Sequence, residues 1–251
     1  INAMVYVRGN PKDFDQWSEA GNPGWSYSDV LPYFKKMESW QNGPDDYRGG
    51  DGPLNVSEVS EQLHPLCQNF LSAAQEIGIG LNKDMNGATQ EGVGNYQITT
   101  HKGQRMSSSR AYLWPIIGRT NLTIIKNAQV TKILTQDKKA FGIEYKKSGK
   151  IHQAIAKCEV ILSAGSINSP HLLQLSGIGP KVALRKASVP LVHDSPGVGE
   201  NLQDHVGVSY FYKSKVRTLN DQLRPWWGKL WQGIRYVLTR TGPLSLSINQ
   251  S

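Results

Sequence analysis

The chain has 251 residues, 38% of them hydrophobic and 19% charged, which is enough apolar material for one large domain or two small ones and excludes disorder for most of its length. Its 25 glycines and 13 prolines fit a loop-rich globular protein rather than a collagen-like or low-complexity one, and no apolar run approaches the ~18 residues of a membrane-spanning helix. The net charge of +8 admits nucleic acid, an anionic membrane surface or an anionic cofactor as a partner. Because the cations Lys126, Lys132, Lys138, Lys139, Lys146, Lys147, Lys150 and Lys157 are scattered over short strands and turns, they read as a solvated face, and nucleic acid is not expected.

In chain order, Ile1 to Gly9 is a short apolar stretch closed by the turn signal Gly9-Asn10-Pro11. Helices are expected at 13–17 and 28–38. In the second, Ser26 or Ser28 can cap, Val30, Leu31, Phe34 and Met37 recur at helical spacing toward a core, and Lys35 and Lys36 lie near the C-terminal end. A polar, glycine-rich loop from Gln41 to Gly52 leads into a strand at Pro53 to Val56. Residues 63–77 predict an amphipathic helix with Leu66, Phe70, Ala73, Ala74 and Ile77 on its apolar face, closed by Gly78 and Gly80.

After the Gly/Asn-rich stretch Asn82 to Gln97, the segments 122–125, 130–134 and 141–145 predict the three strands of a β-meander. Cys158 to Gly165 predicts a buried strand ending in small residues, which let a ligand approach the backbone, and it passes into a helix at 166–175. No Gly-x-Gly-x-x-Gly occurs, so a complete dinucleotide fold is not encoded. Between Pro225 and Gly242 the apolar residues Trp226, Trp227, Leu230, Trp231, Ile234, Val237 and Leu238 form a helical stripe flanked by Lys229, Arg235 and Arg240. Core packing is the expected use of such a stripe, and a membrane surface is the alternative.

Cys67 and Cys158 lie far apart without Cys-x-x-Cys spacing, so neither a disulfide framework nor a zinc site is indicated, and reduced thiols in a cytoplasmic setting are expected. The sequons at Asn55, Asn121 and Asn249 are expected to be inert, there being no secretory signal to support them. The start at Ile1, inside an apolar run, and the stop at Ser251 suggest a piece of a longer polypeptide.

Gly165-Ser166-Ile167-Asn168-Ser169-Pro170-His171-Leu172-Leu173-Gln174-Leu175-Ser176-Gly177-Ile178-Gly179 resembles the second signature of the glucose-methanol-choline (GMC) family of flavin-dependent oxidoreductases. Ile1 to Gly9 resembles the second half of the family's first signature, without its Gly-Gly-Ser turn. Further similar segments are Trp25-Ser26-Tyr27, Leu31-Pro32-Tyr33-Phe34, Gly52-Pro53-Leu54, Gly103-Gln104-Arg105 with Ser107-Ser108-Ser109, and Pro196 to His205. The likeness is nearest to alcohol- and choline-dehydrogenase-like members.

The resemblance implies a mixed α/β fold, in which a Rossmann-related FAD-binding domain is interleaved with an antiparallel-sheet substrate domain and is incomplete in this chain. It divides the chain into an FAD-contacting segment (1–53), a first substrate-domain part (54–100), the meander and βα unit of the FAD domain (101–206) and a second substrate-domain part (207–251). It also implies hydride transfer from the carbinol carbon of a small-molecule alcohol to FAD while a base takes the hydroxyl proton.

Asn2, Ala3, Met4 and Val5 match the segment beside the isoalloxazine, and Val130 and Ala164 match adenine-side contacts. Ile1 stands where some members carry a histidine bonded to the flavin, so non-covalent flavin is expected. Asp204 and His205 match a motif that serves fold and cofactor surroundings rather than proton abstraction. By the same resemblance, the phosphate-binding βαβ unit and the catalytic histidine region belong to a remainder of the same polypeptide, so no catalytic residue is assigned and the chain alone is expected to be inactive. A non-redox hydroxynitrile lyase on the same scaffold and a flavin-free pseudoenzyme serving as an interaction module are the alternatives.

Overall fold

A pair of capped helices opens the fold in the computed structural model, which describes residues 2–208, 210 and 212–247. The Asn10 side chain accepts from the Lys12 amide, and Pro11 occupies a position whose N–H would have no helical partner, so helix α1 (Pro11–Glu19) starts there. Helix α2 (Tyr27–Met37) starts in a capping box in which Ser26 and Asp29 satisfy each other's backbone amides. Aromatic rings join the two. Phe14 lies 5.3 Å from Trp17, 6.2 Å from Tyr27 and 5.6 Å from Phe34, centroid to centroid. The four α2 residues read as core-facing are all half-buried.

Strand β1 (Glu38–Trp40) follows without a break and pairs in parallel with β2 (Leu54–Val56). Tyr6, Trp40 and Val56 form a core cluster there, with Met37 and Leu54 against it. The intervening loop returns closely over the end of α2. A Cβ at Gly49 would stand 1.9 Å from the Lys35 carbonyl oxygen, so only glycine allows that approach.

Helix α3 (Pro65–Glu76) is capped by the His64 imidazole, which accepts from the Leu66 amide. Its buried face differs from the expected one. Leu71 and Ala74 are buried with Val93, whereas Phe70 and Ile77 are 53% and 77% exposed. Half-buried Cys67 shares the face of Leu71 and Ala74 at spacings of four and three, so the apolar stripe is rotated from the one that the larger side chains suggested. Strands β3 (Thr100–His101) and β4 (Gln104–Arg105) form a hairpin whose two turn residues, Lys102 and Gly103, both have positive φ, as a type I′ turn requires.

Residues of Thr123–Phe211 form a compact unit of their own; Ile1–Leu122 and Tyr212–Ser251 form the other. The second unit is built on β5 (Ala128–Gln136), β6 (Lys139–Lys147) and β7 (Lys150–Ile155), an antiparallel meander with two-residue turns at Asp137-Lys138 and Ser148-Gly149. The meander is present, but its membership changes. Leu122–Ile125 joins no strand ladder among the described residues, while Lys150–Ile155, too polar to stand out by hydrophobicity, is the third. A tight turn at Ser148-Gly149 dictates that strand more strongly than its own side chains do.

Helix α4 (Gly165–Leu175) packs on β5. At its end the Ser176 hydroxyl, 1% exposed, accepts from the Ile133 amide at 2.8 Å and donates to the Leu172 carbonyl at 2.7 Å, beside a register shift between Val130 and Lys132. Beyond it come β8 (Ile178–Gly179), α5 (Lys181–Lys186) and β9 (His193–Asp194), with β8 and β9 parallel. The expected buried strand at Cys158–Gly165 is a second correction. The run is extended but unpaired among the described residues, and Ile161 is 77% exposed. A strand apolar on both faces is buried only between paired neighbours, and no strand pairs with this run among the described residues.

Helix α6 (Leu219–Leu223), capped by Thr218 and Asp221, leads to α7 (Trp226–Thr239), which ends at Arg240 in the left-handed conformation. Contrary to the core-packing expectation, the apolar stripe of α7 faces outward. Trp226, Trp227, Leu230, Trp231, Ile234, Val237 and Leu238 are 43–77% exposed. No helix among the described residues is long and apolar enough to cross a membrane. Ile1 and the sequon at Asn249 lie outside the described residues.

Candidate functional site

The segment Asn2 to Arg8 is held on one edge by an extended stretch at residues 97–99. Tyr6 donates its amide to the Gln97 carbonyl at 2.8 Å, and Thr99 donates to the Met4 carbonyl at 2.8 Å. These two bonds flank Val5, which is bridged antiparallel to Ile98. In such a pair the flanked residue turns its own N–H and C=O away, so the peptide groups of Val5 face the opposite edge. Ile98 in turn bridges Ser57, which makes residues 97–99 the middle of three extended stretches.

Asn2 shapes the start. Its side-chain oxygen accepts from the Met4 amide at 2.9 Å and from Arg105 Nη2 at 2.8 Å, and Arg105 also reaches the Asn2 carbonyl at 3.1 Å. Met4 has φ of 69°, a left-handed conformation that costs a side-chain-bearing residue on the order of 1 kcal/mol. The Asn2 side chain and the packing of Met4 against Val59, Ile98 and Leu246 hold it there. Ala3 accepts from the Ser247 hydroxyl at 2.6 Å.

The far end of the segment enters a buried ion network that the sequence did not reveal. Arg8 Nη2 lies 2.6 Å from Glu38 Oε2, and Arg48 Nη2 lies 2.5 Å from Glu38 Oε1. Arg48 Nη1 reaches Asp84 at 2.8 Å and the Gln97 side-chain oxygen at 2.8 Å, while Asn86 donates to the Tyr6 carbonyl and to Gln97. The two guanidinium and two carboxylate charges cancel. The Arg48 guanidinium also lies over the Trp40 ring, 4.1 Å from its centroid. Burial alone would push the Arg48 pKa down, but its hydrogen bonds and charge pairing to Glu38 and Asp84 outweigh that and leave it raised. Burial also pushes the Tyr6 phenol up.

Val130 and Ala164 belong to the second unit. Val130 is half-buried and lines a groove of about 320 Å³ with Gly142, Ile143, Ala154, Leu162 and Leu172, a mostly apolar and small-residue surface. Ala164 does not line that groove. It is exposed, stands before the first residue of α4, and donates its amide to the Ser169 hydroxyl at 3.1 Å. Gly165 beside it has φ of 93° and open space where a Cβ would stand. The structure therefore gathers Asn2, Ala3, Met4 and Val5 in one stretch of the first unit, and Val130 and Ala164 in the second.

The histidines stay outside these features. His64 caps α3, His152 stacks on Tyr145 at 5.3 Å, and the His205 amide merely donates to the neighbouring Asp204 carboxylate. Among the described residues no group of three or more His, Cys, Asp and Glu could hold a metal ion, and no disulfide joins Cys67 to Cys158.

Residues 1–207 match the family of GMC oxidoreductases. The chain belongs to that family. It is 47% identical over 247 residues, 96% of its length, to an oxygen-dependent choline dehydrogenase of Photobacterium profundum. It is 46% identical over 227 residues to the mitochondrial choline dehydrogenase of Homo sapiens, with 90% of the chain covered. The chain spans 43% of the first of these relatives and 38% of the second. Among solved structures, an FAD-dependent oxidoreductase from Chaetomium thermophilum superimposes on the whole chain with a TM-score of 0.89 at 31% identity, over 46% of that protein. A formate oxidase does so over 99% of the chain with a TM-score of 0.84 at 26% identity, over 45% of that protein. The mixed α/β architecture is thus that of the GMC oxidoreductases.

Proposed function

We propose that this chain is the middle portion of an FAD-dependent oxidoreductase that oxidises an alcohol CH–OH to a carbonyl, with choline-type amino alcohols as the first substrates to test. The observation that carries this reading is the 47% identity over 96% of the chain with a relative named as a choline dehydrogenase. When bound, FAD supplies the electron acceptor, taking a hydride from the carbinol carbon.

This chain's residues fit that group. The peptide groups of Val5 turn toward the edge opposite residues 97–99, as expected of a backbone that lies beside a flat ring, and Asn2, Ala3 and Met4 fix that backbone's course. The Val130 groove, apolar and partly walled by Gly142 and Ala154, suits an adenine ring, whereas Ala164 lies outside that groove and its adenine-side role rests on the family resemblance alone. In this reading residues 1–53 and 101–206 serve the flavin, 54–100 and 207–251 serve the substrate, and the base that takes the hydroxyl proton lies in a remainder of the same polypeptide. The chain alone is then inactive. A cytoplasmic setting suits its two cysteines.

The test is an absorption spectrum of the longer parent protein before and after denaturation, followed by anaerobic addition of choline. Release of a free flavin and bleaching of its visible band by choline or another alcohol are expected. A protein that remains colourless in the presence of FAD, or a bound flavin that no alcohol bleaches, would overturn the proposal.

A further inference from the structure

The peptide groups between Asn2 and Val5 are each held through the carbonyl oxygen. Arg105 Nη2 donates to the Asn2 carbonyl at 3.1 Å, and the Thr99 amide donates to the Met4 carbonyl at 2.8 Å. Between them the Ala3–Met4 peptide is gripped on both sides, its N–H by the Asn2 side-chain oxygen at 2.9 Å and its C=O by the Ser247 hydroxyl at 2.6 Å. That peptide is the one under strain. Met4 has φ of 69°, and a half-turn of the Ala3–Met4 peptide alone, with its neighbours fixed, would carry φ into the ordinary extended range. Local sterics therefore favour the turned peptide, and the two hydrogen bonds hold the observed one.

Ser247 comes from 244 positions away and is itself firmly placed. Gly242, with φ of 90°, opens a single 3₁₀ turn (Pro243–Ser245) in which the Ser245 hydroxyl donates to the Gly242 carbonyl at 2.7 Å. Leu246 then packs with Val59 and Ile98, and Met4 packs against the same cluster, which brings Ser247 to the Ala3 carbonyl. Ser247 is 5% exposed, so it reaches Ala3 inside the first unit whatever else covers the chain.

We propose that Ser247 is a positioning residue, which locks the Ala3–Met4 peptide against a half-turn and so fixes the backbone presented to the flavin. The inference rests on the flavin site proposed above, and it ties the part of the chain read as serving the substrate to the part read as serving the cofactor. A half-turn would exchange the directions of the N–H and the C=O, so a bound flavin would meet a peptide dipole of reversed sign.

The test is Ser247→Ala in the longer parent, read by hydrogen–deuterium exchange of residues 3–6, by fluorescence titration with FAD and by the rate of anaerobic bleaching with choline or another alcohol. About fivefold faster exchange, about fivefold weaker flavin binding and slower bleaching are expected, the effect of one lost hydrogen bond. Ser247→Thr, which keeps the donor, should stay close to the wild type. Because the Asn2 side chain holds the same peptide, Asn2→Ala combined with Ser247→Ala should weaken flavin binding little more than either change alone. Ser245→Ala loses a similarly buried hydroxyl bond within its own turn, so it should lower the melting temperature and leave both the exchange of residues 3–6 and the flavin affinity unchanged.

The inference falls if Ser247→Ala exchanges and binds flavin as the wild type does, or if Ser245→Ala weakens flavin binding as much, which would assign Ser247 to stability alone. A parent that binds no FAD overturns the flavin site and this inference with it. One that binds FAD but is bleached by no alcohol overturns only the proposed oxidation, since exchange and affinity still decide the role of Ser247.

Discussion

Arg48 and Glu38 form an ion pair with no solvent exposure on either side chain: Nη2 lies 2.5 Å from Oε1, and Nε lies 3.1 Å from both carboxylate oxygens. Such a pair contributes little net stability against a well-packed apolar substitute, yet removing one partner leaves a buried charge without compensation. Glu38→Ala is therefore expected to lower the unfolding free energy by about 3–5 kcal/mol, measured by urea denaturation. Added salt should change the wild-type value little, because ions do not screen a pair that water does not reach.

Asn2→Ala removes the acceptor that holds the Met4 amide and one of the two oxygens that Arg105 grips. Losing a hydrogen bond of this kind costs about 1 kcal/mol, or about fivefold in an equilibrium constant. In the longer parent, about fivefold weaker flavin binding is expected, read by fluorescence titration, with Asn2→Asp restoring most of it. Unchanged flavin affinity would remove Asn2 from the cofactor's surroundings.

The raised Tyr6 phenol sets an alkaline limit. An acid whose folded pKa exceeds its unfolded value of 10.0 holds its proton longer in the native state, so between the two values the unfolded chain binds fewer protons and stability falls as pH rises. Tyr6→Phe should flatten the decline in melting temperature above pH ~10. An ultraviolet titration should show one tyrosine fewer ionising late.

Ser176→Ala leaves the Ile133 amide without its acceptor in a buried place. A loss of about 1–3 kcal/mol is expected. Amide exchange would locate it: protection should fall at Ile133, where α4 meets β5, and persist at the β6–β7 ladder.

The start of α2 was legible because a cap is a local event, written by Ser26 just before the first apolar position, whereas Asn10-Pro11 read as a turn and the short helix capped by Thr218 and Asp221 was not foreseen. The residues proposed to face the flavin were singled out only through family resemblance, since nothing in Asn2 to Val5 taken alone implies a ligand. Strand pairing failed where it depended on absent or distant neighbours. Cys158–Gly165 reads as a buried strand yet lies unpaired among the described residues, and polar Lys150–Ile155 pairs because a turn returns it to β6. Arg8, Glu38, Arg48, Asp84 and Gln97 had no local signature at all, because polar groups spread over nearly ninety positions carry no periodicity.

That spread gives the chain a schedule. Glu38 meets Arg8 and Arg48 early, but the second carboxylate on Arg48, Asp84, and the amide of Gln97 leave the ribosome dozens of residues later, so at roughly 5–20 residues per second Arg48 waits a few seconds for them. Until then the Arg48 guanidinium stays partly hydrated, and the cluster of Tyr6, Trp40 and Val56 beside it closes incompletely. The Tyr6, Trp40 and Val56 core thus stays incomplete until residue 97 has emerged, so a nascent chain stalled before that point should be cut by protease within residues 1–60 more readily than one stalled well after it.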